Sequence, residues 1–116
     1  MNEIVIKHGF MYLADLSPSR GTEAGKLRPV VVIQTNFLNE AYHPSTWVLP
    51  CTTQLTSENL LRVRLPKNIA GNTEECDVMI DQSRAIDNQR FRKELFSVPS
   101  LLLREIKDKL RLAGDL

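Results

Sequence analysis

The 116-residue sequence is poor in cysteine, in excess charge and in long apolar runs, and each shortage removes a class of protein. Two cysteines, Cys51 and Cys76, cannot build the multi-bridge framework of a small secreted domain, so both are expected as reduced thiols. Met1 to Phe10 holds no apolar run of signal-peptide length, and runs such as Pro29 to Ile33 fall far short of a bilayer span. A cytoplasmic protein with no membrane segment is therefore expected. The net charge of +1 argues against a protein that coats nucleic acid by bulk attraction, so any nucleic-acid site has to be a local patch. Nine of the fifteen cations are arginines, whose planar fork suits phosphates and base edges.

What is present fits an ordinary folded domain. A hydrophobic fraction of 42% and a charged fraction of 25% lie away from the signature of disorder, and a chain of this length has room for one core, so 1–116 is read as a single domain. No repeat or low-complexity tract interrupts it.

Five short stretches read as strands. Phe10 to Leu16 is crowded with aromatic and aliphatic residues and ends in Ser17-Pro18; Pro29 to Gln34 is β-branched and apolar, with proline at the strand start. Thr46 to Thr53, Leu60 to Leu65 and Cys76 to Ile80 follow, and alternation in the fourth puts Arg62 and Arg64 on one face. Between the first two strands, residues 17–27 combine a proline, two glycines and several polar groups, as an exposed loop does. Near the end, Leu102, Leu103, Ile106, Leu110 and Ala113 recur at helical spacing, opposite Arg104, Glu105, Lys107, Asp108 and Arg111. Ser97 is expected to cap that helix and Pro99 to sit in its first turn. Strands followed by one terminal helix, without βαβ alternation, predict a mainly β fold: a small antiparallel barrel carrying a C-terminal helix.

Three clusters carry groups with chemistry. In Gly21-Thr22-Glu23-Ala24-Gly25-Lys26-Leu27-Arg28-Pro29, the residue before proline is confined to extended backbone, which fixes Arg28 where a loop enters a strand, five residues after Glu23. Taken alone, a Glu/Arg pair on a loop is as readily a surface ion pair. Pro50-Cys51-Thr52-Thr53-Gln54 places two hydroxyls and an amide at a strand end, where threonine is also common for propensity alone. Asp81-Gln82-Ser83-Arg84-Ala85-Ile86-Asp87 packs polar groups after an apolar strand and reads equally as a hydrogen-bonded turn. Histidine is a common acid/base group, but neither His8 nor His43 lies in these clusters, and with Cys51 and Cys76 they lack the close spacing of a zinc set. Of the aromatics Phe37, Tyr42, Trp47 and Phe91, most are expected in the core.

Together the clusters resemble one family. Tyr12-x-Ala14-Asp15-Leu16-Ser17-Pro18 leading to Gly21-x-Glu23-x-Gly25-x-x-Arg28-Pro29-Val30-Val31-Val32-Ile33-Gln34 resembles the opening of MazF/PemK toxins. Val48-x-Pro50-Cys51-Thr52-Thr53-Gln54 is similar to that family's central strand, and Asp81 to Asp87 to its late motif. The resemblance implies an SH3-like barrel of the MazF/PemK/CcdB kind. It also implies a homodimer, silenced by a cognate antitoxin, that cuts single-stranded RNA at specific sequences by attack of the RNA's own 2′-hydroxyl, with no metal and no cofactor. Arg28 and Thr52 match the chief catalytic positions of the family, and Glu23 a loop glutamate implicated in some members. Contacts to RNA, or support for the site, are then expected from Arg20, Thr53, Gln54, Asp81, Gln82 and Arg84. Several of the arginines at 20, 28, 62, 64 and 84 should line one electropositive groove. Other members pair the aspartate of the late motif with an arginine two residues earlier; here Asp81 is preceded by Met79, a departure that weakens a catalytic role for Asp81. The alternatives are a CcdB-like, non-enzymatic gyrase-binding toxin, whose Trp-Gly-Ile tail is absent from Ala113-Gly114-Asp115-Leu116, and an inactive RNA-binding barrel.

Overall fold

A computed structural model describes residues 4–17, 21 and 26–116. Strands β1 (Phe10–Asp15), β2 (Leu27–Val32) and β3 (Ser45–Thr52) pair in sequence order, with the short helix α1 (Asn36–Glu40) between the last two. Strands β4 (Arg62–Leu65), β5 (Cys76–Met79), β6 (Arg84–Asp87) and β7 (Phe91–Ser97) complete an antiparallel sheet, and helix α2 (Ser100–Gly114) ends the chain. The sheet runs β4-β5-β3-β2-β1-β7, with β6 also beside β3.

Strand β3 organises this arrangement. One edge takes β2, while the other is shared: Ser45 to Val48 pair with β6, and Cys51 and Thr52 pair with β5. Pro50 falls where that second edge changes partner, so its missing N–H interrupts a ladder that is already broken there.

Both faces of the sheet are covered, which explains why Pro29 to Ile33 reads as a continuous apolar run instead of an alternating one. Val31, Leu49, Cys51, Val63, Leu65 and Val78 face α2, whose Ile106 is fully buried among them with Leu102, Leu103 and Leu110 at its sides. On the opposite face Tyr12, Ala14, Val30, Val32, Val48, Ile86 and Phe91 form a second cluster, partly roofed by Ile4, Ile6 and Phe10. The Tyr12 hydroxyl donates to the Val5 carbonyl at 2.7 Å and accepts the Lys7 N–H at 2.8 Å, which ties the roof down. Its ring meets Phe91 edge-on, with centroids 5.3 Å apart. Gly9 permits close approach by α2: its φ is +80°, and a Cβ there would lie 3.0 Å from a Leu103 methyl. Ile106→Ala should cost about 2–5 kcal/mol, because the emptied space under α2 is walled by strands that cannot collapse into it. Chemical denaturation should show the midpoint fall with an unchanged slope.

The mainly β fold with a C-terminal helix agrees with the sequence reading, with one refinement: edge strands β4 and β7 do not pair with each other, so the barrel is not closed. A cleft of about 350 Å³ lies between β7 and the 71–76 segment, with Met11, Pro29, Thr53 and Phe96 in its wall. The expected cap at Ser97 is corrected. Ser97 pairs with Phe10 as the last residue of β7, and Pro99 takes the cap position. The aromatic expectation is corrected too, since Phe91 is core whereas Phe37 and Tyr42 are 80% and 89% exposed. Both belong to or follow the short α1, which buries no residue.

Candidate active site

Ala14 pairs with Arg28 across β1 and β2, and Val30 pairs with Pro50 across β2 and β3. The β2–β3 pairing ends at Val30 and Pro50; its register, continued two residues further, would set Arg28 opposite Thr52 on the same face of the sheet. The side chain follows the backbone. The Arg28 guanidinium donates to the Cys51 carbonyl at 3.4 Å, one peptide from Thr52. Thr52 is the last residue of β3 and is 7% exposed, and its hydroxyl accepts the Gln54 N–H at 3.1 Å. Thus Arg28 and Thr52, two of the three candidate catalytic residues, are neighbours.

The row continues across the sheet. Thr52 pairs with Asp77 in β5, and Asp77 with Arg64 in β4. Asp77 is 1% exposed, so its charge needs partners. Arg64 supplies an Nε donor at 2.6 Å and Arg62 an Nη1 donor at 3.3 Å. Burial raises the Asp77 pKa, but hydrogen bonds from Arg64, the Thr56 N–H and Arg62 outweigh it and hold the carboxyl below the usual carboxylate range. It is ionised near pH 7. Arg62 and Arg64 do share a face, as alternation predicted, but both are engaged by this carboxylate, so they offer a groove less free charge than their number suggests.

Sequence reasoning did not single out Asp77. The signal was a lone acid inside the buried run Cys76-Asp77-Val78-Met79-Ile80, which implies a cationic partner from elsewhere in the chain.

The other expected site residues are placed less tightly. Thr53 and Gln54 are exposed just beyond β3, with Thr53 bordering the cleft and the Gln54 carbonyl accepting from Arg62 at 3.2 Å. Arg84 pairs with Val48 and so lies on the face shared by Arg28 and Thr52. Asp81 and Gln82 occupy the 3-10 turn Ile80–Gln82, where Asp81 is exposed. Met79 is buried opposite Arg62. Glu23 and Arg20 lie outside the described residues. At the base of their loop the Leu16 N–H donates to the Lys26 carbonyl at 2.8 Å, and Arg90 donates to the carbonyls of Asp15 and Ser17. Both strand ends that bear the loop are therefore held beside Arg28.

The competitors have structural roles. His8 Nδ1 lies 3.1 Å from the Ile33 carbonyl, and its backbone N–H donates to Asn36. Cys51 and Cys76 are free and buried; a hydrogen bond to Cys76 and burial push the Cys51 thiol well up, so it is neutral near pH 7. Among the described residues no cluster of three His, Cys, Asp or Glu side chains could hold a metal ion. No helix among them is long and apolar enough to cross a membrane.

Residues 7–113 match the family described as PemK-like, MazF-like toxin of type II toxin-antitoxin system. Endoribonuclease EndoA of Bacillus subtilis (strain 168) is 29% identical over 111 residues, which is 95% of each chain. The crystal structure of MazF (form I) from Deinococcus radiodurans superposes with a TM-score of 0.84 at 23% identity, covering 98% of this chain and all of that one. The MazE-MazF structure (form II) from the same organism gives 0.78 at 23% identity, covering 98% and 99%.

Proposed function

The chain belongs to the PemK-like, MazF-like toxins of type II toxin-antitoxin systems, and from that premise we propose that it is an endoribonuclease that cuts single-stranded RNA at the Arg28–Thr52 pair. The observation that carries this reading is the juxtaposition itself. A cationic donor anchored on the Cys51 carbonyl stands one peptide from a hydroxyl at a strand end.

The reaction is transesterification. The 2′-oxygen of the RNA attacks the adjacent phosphorus, the bond to the 5′-oxygen breaks, and the products are a 2′,3′-cyclic phosphate and a 5′-hydroxyl. The 2′-hydroxyl loses a proton, the leaving oxygen gains one, and negative charge gathers on the non-bridging oxygens. Arg28 stabilises that charge, and Thr52 adds a neutral donor. Arginine's very high pKa suits it to this role better than to giving up a proton. Glu23, on the loop that enters β2, is the proton acceptor. Arg20, Thr53, Gln54, Gln82 and Arg84 hold the RNA strand, and Asp81 supports the site from its turn. Each step needs only proton transfer and charge stabilisation, so the reaction is assigned without a metal. The protein works in the cytoplasm as a homodimer, and a cognate antitoxin silences it by covering the RNA site.

Thr52→Val tests the pair, because it keeps a strand-compatible shape and deletes the hydroxyl. Single-turnover cleavage of a defined RNA in EDTA should slow about tenfold, the worth of one neutral hydrogen bond in the transition state. An unchanged rate would remove Thr52 from the site. Complete absence of RNA cleavage by the unaltered protein would favour a non-enzymatic toxin.

A further inference from the structure

The hydrogen bonds made by Asp77 and its two arginines converge on one short segment. Asp77 accepts the Thr56 N–H at 3.3 Å, Arg64 donates to the Thr56 carbonyl at 2.7 Å, and Arg62 donates to the Gln54 carbonyl at 3.2 Å. The same segment supplies the Gln54 N–H that the Thr52 hydroxyl accepts. The orientation of Thr52 therefore depends on where residues 54–56 sit, and their place depends on a buried carboxylate that is also its direct cross-strand neighbour.

An ion triad in which only the carboxylate is buried is a weak source of stability, since two partly exposed arginines gain little beyond offsetting its desolvation. Its distinguishing property is direction: charged hydrogen bonds fix angles that apolar packing leaves loose. We propose that Asp77 is a positioning residue for RNA cleavage, clamping Arg62 and Arg64 onto the 54–56 turn so that the Thr52 hydroxyl stays level with Arg28. This rests on the assignment of Thr52 and Arg28 to the reaction.

The test is a double-mutant cycle on the full-length protein, read as the saturating single-turnover rate, the half-saturating RNA concentration and the melting temperature. Asp77→Asn keeps the shape and removes the charge. In the wild-type background it should slow the saturating rate about tenfold while shifting half-saturation by less than about twofold. In the Thr52→Val background the same change should slow the rate by less than about twofold, because the group it positions is gone. Equal slowing in both backgrounds, an effect confined to RNA affinity, or a lowered melting temperature with an unchanged rate would each overturn the proposal. If Asp77→Asn does not fold, Arg64→Met, which alters a side chain 40% exposed and removes the Thr56 carbonyl contact, should give the same pattern with a smaller amplitude. Thr52→Val cutting at the wild-type rate would refute the site assignment itself. A cycle without coupling, with Thr52→Val slow as expected, would refute only the role of Asp77.

Discussion

Arg28→Ala is expected to slow single-turnover RNA cleavage at least about a hundredfold, because removing one preorganised charge-stabilising donor typically forfeits about 3 kcal/mol of transition-state stabilisation. The preorganisation has two sources. Pro29 confines the Arg28 backbone to extended conformations, and the Cys51 carbonyl holds the guanidinium at the end of β3. Arg28→Ala leaves Pro29 and the strand pairing in place. The side chain is half-buried beside the sheet, and losing its charged bond to the Cys51 carbonyl should cost about 1.5–3 kcal/mol, a loss that melts can register apart from the kinetics. Arg28→Lys should also be poor, since a point-charge ammonium does not reproduce the two-pronged fork that meets phosphate. Thermal melts run beside the kinetics separate lost chemistry from lost structure. A folded Arg28→Ala protein that cuts at the wild-type rate would place the active site elsewhere.

Strands β1 to β5 were legible because each carries an apolar run or alternation that survives without its neighbours. Strand β7 was not. Its centre, Arg92-Lys93-Glu94, is charged and exposed, as suits a sheet edge, and only pairing with β1 makes it a strand. Strand β6 is four residues long with Ile86 as its one buried side chain, so its polar composition reads as a turn until β3 imposes extension on it. Ser97 has the chemistry of a cap, but the β1 ladder claims it first.

The site divides in the same way. Arg28 and Thr52 were picked out by the family resemblance, since the residues alone say only that Pro29 constrains the Arg28 backbone and that Thr52 ends a strand amid hydroxyls. Their adjacency is a matter of register, which no single segment encodes. Asp77 was hidden for a related reason: its meaning depends on Arg62 and Arg64 from another strand and on backbone groups at residues 54–56. Sequence motifs report residues that are constrained where they stand, whereas a clamp assembled across three strands becomes visible only once those strands pair.

The largest effect is expected from the substrate. A single deoxyribose at the scissile nucleotide removes the 2′-hydroxyl, which the proposed reaction uses as its nucleophile. Little else changes. Phosphates and base edges stay in place, so the protein should bind the substituted strand nearly as well as RNA, because backbone contacts supply most of the affinity for a nucleic acid. Binding without cutting would locate the defect in the chemical step.

The decisive measurement is therefore a single-turnover reaction in EDTA with one mapped RNA and the same strand carrying that one deoxyribose, with binding measured in parallel. Transesterification through the 2′-hydroxyl predicts rapid cutting of the RNA to a 2′,3′-cyclic phosphate and a 5′-hydroxyl, and intact, bound deoxy-substituted strand. Cleavage of the substituted strand at a comparable rate, or cutting of the RNA only after magnesium is added, would contradict it.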